Sequence, residues 1–277
     1  MPVSKLKNLT ILILVIANLL LVLLVVPARL EARQGESDLR SSLCELYGRQ
    51  EIALTPDAIP DTVTLYALEL KEDSAADRKA AAALLGEELT VQDDSSRYLS
   101  AFRSDLGTCS ISRSGSFAAQ LQDQPETGDL AKNSRKTLQN MGFSCADLSQ
   151  PERIRAGVYT VHAVQSVLGV PVFSGGLTLT YSNSRLTTLE GTFFTGAASL
   201  TRVSDKACLS ASDALVAFLS ARYDLGWVGS AVTGMEQGYI RSETAAAAAV
   251  RLTPVWILET DTGSFQINGL TGEVSTA

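Results

Sequence analysis

The chain has one histidine, four cysteines, two tryptophans and eight prolines in 277 residues. A single histidine, His162, excludes any centre that takes two imidazoles from one chain, the H-E-x-x-H metalloprotease helix among them. A general base or metal-bound imidazole also needs a polar partner to orient it. None flanks His162 in the alternating run Val158–Val167, so a structural or surface role is the plainer reading. The cysteines stand at 44, 109, 145 and 208, too far apart for the C-x-x-C pairs of a zinc site. Two readings of them stay open. Cys109 and Cys145 form a disulfide in an oxidising compartment, or all four are small buried apolar side chains, which the lack of fixed spacing favours. No G-x-S-x-G elbow and no phosphate-binding glycine loop occurs. The residues by themselves point to no catalytic site, no cofactor and no metal.

Positive charge is also scarce, with 23 Lys and Arg against 30 Asp and Glu for a net charge of −7. Setting aside the two positive charges of Lys5 and Lys7 leaves −9 for the rest. Such a surface repels nucleic acid, anionic lipid headgroups and anionic wall polymers. A protein partner or a cationic ligand fits it better.

What the chain does have is one long apolar run, the 18 residues Leu9–Val26, whose only polar members are Thr10 and Asn18. As a helix it would measure about 27 Å at 1.5 Å per residue, close to the thickness of a bilayer's hydrocarbon layer. Lys5 and Lys7 precede it and Arg29, Glu31 and Arg33 follow, so the charge rule for orientation is nearly tied. The short lead places the N-terminus inside and the large domain outside the cytoplasm. The rival is a cleaved signal peptide with Val26-Pro27-Ala28 as its processing site, but such cores are usually only about 7 to 15 residues long. Asn18 lies mid-run, on one helix face with Ile11, Leu14, Val15, Leu21, Val22 and Val25. It is the candidate contact with a partner helix. The alternative is a side chain that bonds its own backbone.

The remaining chain reads as α+β. Ser37-Asp38 caps a helix through Leu39, Leu43, Leu46 and Tyr47, Pro56 and Pro60 mark an extended linker, and Thr62–Leu70 is a strand. A helix followed by an antiparallel meander then comes about three times. The first helix is Ser74–Glu87, followed by strands at Arg97–Arg103, Thr108–Arg113 and Phe117–Leu121. The second is Asp129–Met141, followed by Val158–Val167, Val170–Phe173, Leu177–Tyr181 and Arg185–Phe193. The third is Asp213–Tyr223, capped by Ser210 or Ser212, followed by Val228–Ile240, Arg251–Glu259, Ser264–Asn268 and Leu270–Val274. Ala245–Ala249 is ambiguous between helix and strand. The expected organisation is therefore a cytoplasmic lead at 1–8, a transmembrane helix at 9–26 and a membrane-proximal segment at 27–72. Three α+β units follow at 73–125, 126–200 and 201–277.

One string imitates an active site. Asp261-Thr262-Gly263-Ser264, after Val255–Leu258, resembles the catalytic loop of pepsin-like aspartic proteases. Those enzymes need two aspartates sharing a proton, and only a homodimer of this chain would supply the second. Asp-x-Gly between alternating strands is also what a hairpin turn requires.

Pro254–Val274, with Trp256 on one strand and Leu270-Thr-Gly-Glu-Val274 at the end, resembles the last strands of PepSY-like domains. Gly169–Tyr181 together with Arg185–Gly191 resembles the meander of the YycH/YycI family, and residues 43–70, with Ile59-Pro60 before the strand, resemble its YycI branch. The resemblance covers most of the chain through short, loose motifs. It implies a non-enzymatic single-pass regulator of a cell-envelope sensor histidine kinase in a Gram-positive bacterium, working with a companion regulatory protein of similar build. It brings no catalytic residues with it. The PepSY-like part alone implies a second role, a module that binds or inhibits an extracytoplasmic peptidase or assists a wall protein.

Overall fold

The structure is a computed structural model that describes residue 14 and residues 37–71, 73–94, 99–196, 200–242 and 249–277. The run 9–26, apart from Leu14, lies outside the described residues, as does Asn18. So do the expected lead at 1–8 and most of the alanine run at 245–249. Among the described residues no helix is long and apolar enough to cross a membrane.

The described residues form a mixed α+β fold with four α-helices and one large hydrogen-bonded sheet network. In chain order, residues 37–48 form α1, followed by β1 (Ala53–Leu54), a 3-10 turn at Pro56–Ala58 and β2 (Tyr66–Lys71). Then come α2 (Ser74–Leu85), β3 (Thr90–Asp94), β4 (Leu99–Ser104), β5 (Gly107–Ser112) and β6 (Ser116–Leu121). After α3 (Leu130–Asn140) run β7 (Cys145–Leu148), β8 (Glu152–Arg155), β9 (Val158–Val167), β10 (Val170–Ser182), β11 (Arg185–Thr192) and β12 (Leu200–Ala207). The chain ends with α4 (Ala211–Ala221), β13 (Ala231–Ser242), β14 (Ala249–Thr260), β15 (Gly263–Asn268) and β16 (Val274–Thr276).

Local chemistry sets the helix ends. Asp73 caps α2 by accepting from the backbone N–H groups of Ala75 and Ala76, Asp129 caps α3 through Lys132 N, and Ser210 caps α4 through Asp213 N. Gly86, at φ 84°, takes the left-handed conformation that stops α2 without a β-carbon clash. Alanine on α2 has a packing role as well. Ala80 and Ala81 are fully buried, so the helix backbone can approach the sheet closely.

The sheet path runs β12-β2-β14-β13-β10-β11-β6-β5-β4-β3, and it serves two cores. One core lies under α2 and α3 and is filled by Leu84, Leu138, Phe102, Ile111, Phe117, Leu179, Tyr181 and Leu189. The other lies under α1 and α4 and is filled by Tyr47, Leu215, Phe218, Leu252, Trp256, Leu258 and Ile267. Tyr47 Oη donates to the Leu215 carbonyl at 2.7 Å, and Trp256 Nε1 donates to the Leu209 carbonyl at 3.0 Å, so both large polar-tipped rings are satisfied inside.

The division into cores departs from the expected three units. β6 pairs with β11 and the helices α2 and α3 share one core, so the first two expected units are a single layer. β2, expected in the membrane-proximal segment, pairs with β14 and with β12, which places it in the third. Five of the described strands escaped the sequence reading: β1, β3, β7, β8 and β12. Each is at or near a sheet margin, where alternation of apolar and polar residues is weak. The last strand is also later than expected. Leu270–Glu273 form a turn on Asn268, whose Oδ1 accepts from Leu270 N and Thr271 N, and pairing resumes only at Val274.

The two cores meet on β10. Its first half pairs in parallel with β13 at Val172 and Tyr239, and its second half pairs with β11 from Gly176 to Ser182. Between them Phe173-Ser174-Gly175 bulge from the register with β9. The Phe173 ring crosses β13 over Gly238, where any β-carbon would collide with it. Neighbouring Phe193 and Phe194 enter opposite cores. The buried Gln165 side chain holds the Phe194 backbone like a second strand. Its Nε2 donates to the Phe194 carbonyl at 2.8 Å and its Oε1 accepts from Phe194 N at 2.9 Å. Gln165→Leu would leave both groups buried and unpaired, for an expected loss of about 2 to 6 kcal/mol at about 1 to 3 kcal/mol for each. Equilibrium urea unfolding measures it, with the exposed Gln122→Leu change as a near-neutral control.

Candidate interaction surface

Helices α2 and α3 cover one face of the β3–β4–β5–β6–β11–β10–β9 layer, and no described element covers the opposite face. Period-2 alternation decides what each face carries. On β5, Cys109 and Ile111 are buried under the helices, while Thr108 and Ser110 between them face outward. On β6, Phe117, Ala119 and Leu121 point in, and Ala118 and Gln120 point out.

Register then aligns the outward residues into rows across the strands. One row runs Thr90, Arg103, Thr108, Gln120, Thr188, Thr180 and Thr160, each paired with the next. The next row runs Gln92, Ala101, Ser110, Ala118, Glu190, Thr178 and His162. Both rows enter a hollow of about 370 Å³ lined by Thr90, Gln92, Arg103, Thr108, Ser110, Gln120 and Glu190. It offers one guanidinium, one carboxylate, hydroxyls and side-chain amides on an open sheet face. Those groups suit hydrogen bonding to a polar ligand or a peptide backbone. None of them is a nucleophile paired with a base.

His162 stands at the margin of this face, exposed, with Nδ1 paired to Thr178 Oγ1 at 3.0 Å. Among the described residues no group of three or more His, Cys, Asp or Glu is placed to hold a metal ion.

All four cysteines are free thiols, so Cys109 and Cys145 are not paired, and of the four expected buried side chains only Cys109 and Cys208 are buried, Cys44 being half-buried and Cys145 exposed. Cys109 points into the helix-covered core, and burial, with the nearby Asp77 carboxylate adding to it, pushes its thiol up to about 12. Cys145 lies exposed on β7, its Sγ donating to the Asp147 carbonyl at 2.9 Å. The two side chains therefore face different environments, and strand alternation commits Cys109 to the inside.

Asp261 and Thr262 form the two-residue loop of the β14–β15 hairpin, between the paired Thr260 and Gly263. Asp261 Oδ2 accepts from Ser230 N at 2.8 Å and from Ser230 Oγ at 2.9 Å, tying the hairpin to the start of β13. The Ser230 backbone N–H, more than any other group, holds the carboxyl below its usual range. Its chemistry is that of a turn clamp. Sequence reasoning missed the buried amides Gln165 and Gln237, the latter exchanging two 2.9 Å hydrogen bonds with the Val63 backbone. It also missed the Arg103–Glu190 hollow. A polar residue inside an otherwise apolar strand was the available signal for the amides. No protein-family model and no curated protein matches the chain.

Two outcomes are expected. Alkylation of the folded protein at neutral pH labels Cys145 first and spares Cys109 until unfolding, and the intact mass is the same with and without reductant. Asp261→Ala lowers the melting temperature at about pH 7. Because the folded pKa is depressed, that stabilisation is present in full above the ordinary carboxylate range and is lost as pH falls below that range and through the lower folded pKa. The deficit should therefore shrink below about pH 4. A deficit unchanged in acid would show that the carboxylate is not what holds the turn.

Proposed function

We propose that this protein is a non-enzymatic, membrane-anchored regulator of a cell-envelope sensor histidine kinase. Residues 9–26 are its single transmembrane helix, the N-terminus is cytoplasmic, and the folded part is an extracytoplasmic module that binds protein. The observation that carries the reading is the open polar face of the β3–β11 layer. It is uncovered by any described element, rich in hydrogen-bonding groups and equipped with opposite charges at Arg103 and Glu190. The 18-residue apolar run supports the anchor. Asn18, polar in the middle of that run, supports a contact with the kinase's own spans. The resemblance to the YycI branch supports the kinase and a companion of similar build as the partners. No cofactor has a part in this reading.

A second reading, a PepSY-like module that restrains a peptidase or assists a wall protein, draws on the same hollow, which is large enough to take side chains of an extended peptide. In-membrane crosslinking of the full-length protein separates the two. A sensor kinase trapped through positions beside Asn18 is the expected result, and a peptidase or wall protein trapped only beyond Arg33 would favour the second reading. Asn18→Leu should weaken kinase association by about threefold to thirtyfold, the equivalent of about 0.6 to 2 kcal/mol. Unchanged association and output would overturn the transmembrane half of the proposal.

A further inference from the structure

A sheet margin exposes a row of unpaired backbone groups, and proteins usually blunt it with bulges, very short strands or covering elements. Most margins of this sheet follow that rule. The registers of β12, β7 and β8 are each broken, between Arg202 and Ala207, Cys145 and Asp147, and Arg153 and Arg155. β16 has three residues and β1 two. β3 differs. It pairs with β4 in unbroken register from Thr90↔Arg103 to Asp94↔Leu99 and has no second neighbour among the described residues.

The free backbone groups on β3 can be assigned. In the β4–β5 hairpin, Ser104 faces Gly107 across the loop Asp105-Leu106, a position where opposed residues exchange N–H···O bonds. Parity then directs Arg103, Ala101 and Leu99 toward β3. Their partners Thr90, Gln92 and Asp94 bond inward, so the N–H and C=O of Val91 and Asp93 point away from the sheet. Val91 is 40 % exposed on the helix side of the layer. Leu89 and Leu106 line an adjoining open hollow of about 820 Å³.

The charge of the segment selects the occupant. Residues 87–94 read Glu-Glu-Leu-Thr-Val-Gln-Asp-Asp, with four carboxylates and no base. A second copy of the same edge would be repelled, and a basic strand attracted. We propose that the free edge of β3 accepts an extended, cationic segment of a partner protein as an added strand. The backbone supplies the hydrogen bonds, and the alternate side chains of the guest cover Val91 on one face and lie beside Thr90 and Gln92, the β3 rim of the open-face hollow, on the other. This rests on the reading of the folded part as a protein-binding module.

The test uses the full chain in nanodiscs of zwitterionic lipid and a short peptide of alternating valine and lysine. A glutamate counterpart of the peptide serves as the control. The lysine peptide should bind at least about tenfold more tightly than the glutamate one, weaken as salt rises, and slow amide exchange at Val91. Val91→Pro removes an outward N–H without touching a β3–β4 bond, so the fold should survive and affinity should fall about tenfold or more. Val91→Thr, which keeps the N–H, should bind like the parent. Equal binding by parent and Val91→Pro without protection of β3, or no binding of the lysine peptide, overturns the proposal. Either result leaves the crosslinking outcome with the kinase to judge the regulator reading by itself.

Discussion

Strand β10 carries one constraint on which both halves of the molecule depend. Its backbone can bond on only two sides. One side belongs to β9, so the other must be divided, first to β13 and then to β11. A bulge against β9 at Phe173-Ser174-Gly175 separates the two stretches. Beside it the buried Gln165 side chain pairs the Phe194 N–H and C=O, an amide imitating a peptide. Phe193 and Phe194 then anchor a core on each side of the seam. Either core without the seam would expose the ends of long strands.

The same layer logic creates the surface to which binding is assigned. An antiparallel sheet needs helices on only one of its faces. Once α2 and α3 occupy one, most alternate residues from β3 to β9 lie on a face that no described element covers, and register brings hydroxyls, amides, Arg103 and Glu190 into rows. The acidic outer strand lies at the end of those rows. Such a surface presents backbone geometry and charge, the features on which the proposed binding rests.

Local environment decided the chemistry of the residues that looked reactive. Cys109 is a thiol held neutral by burial. Asp261 is a carboxylate held ionised by the Ser230 N–H, but at a hairpin tip where it clamps two strands. In each case the sequence supplied a reactive group and the fold gave it a structural task.

Much of the secondary structure was legible in the chain. The cap at Ser210, glycines at helix ends, and alternation in Val158–Val167 and Leu177–Tyr181 are local signals, since capping and strand alternation act over a few residues. The α+β class and the hairpins at Asn183 and Asp261 follow from them. Strands with little alternation, such as β8 with its four exposed residues, gave no such signal, because a margin strand has no core to demand one. The grouping into two cores, the merger of the first two expected units, the thiol environments and the open face were decided by tertiary structure. These depend on which distant strands pair, as Thr188 does with Gln120 and Val172 with Tyr239. Pairing is a property of backbone geometry shared by every strand, so side-chain order alone did not determine it.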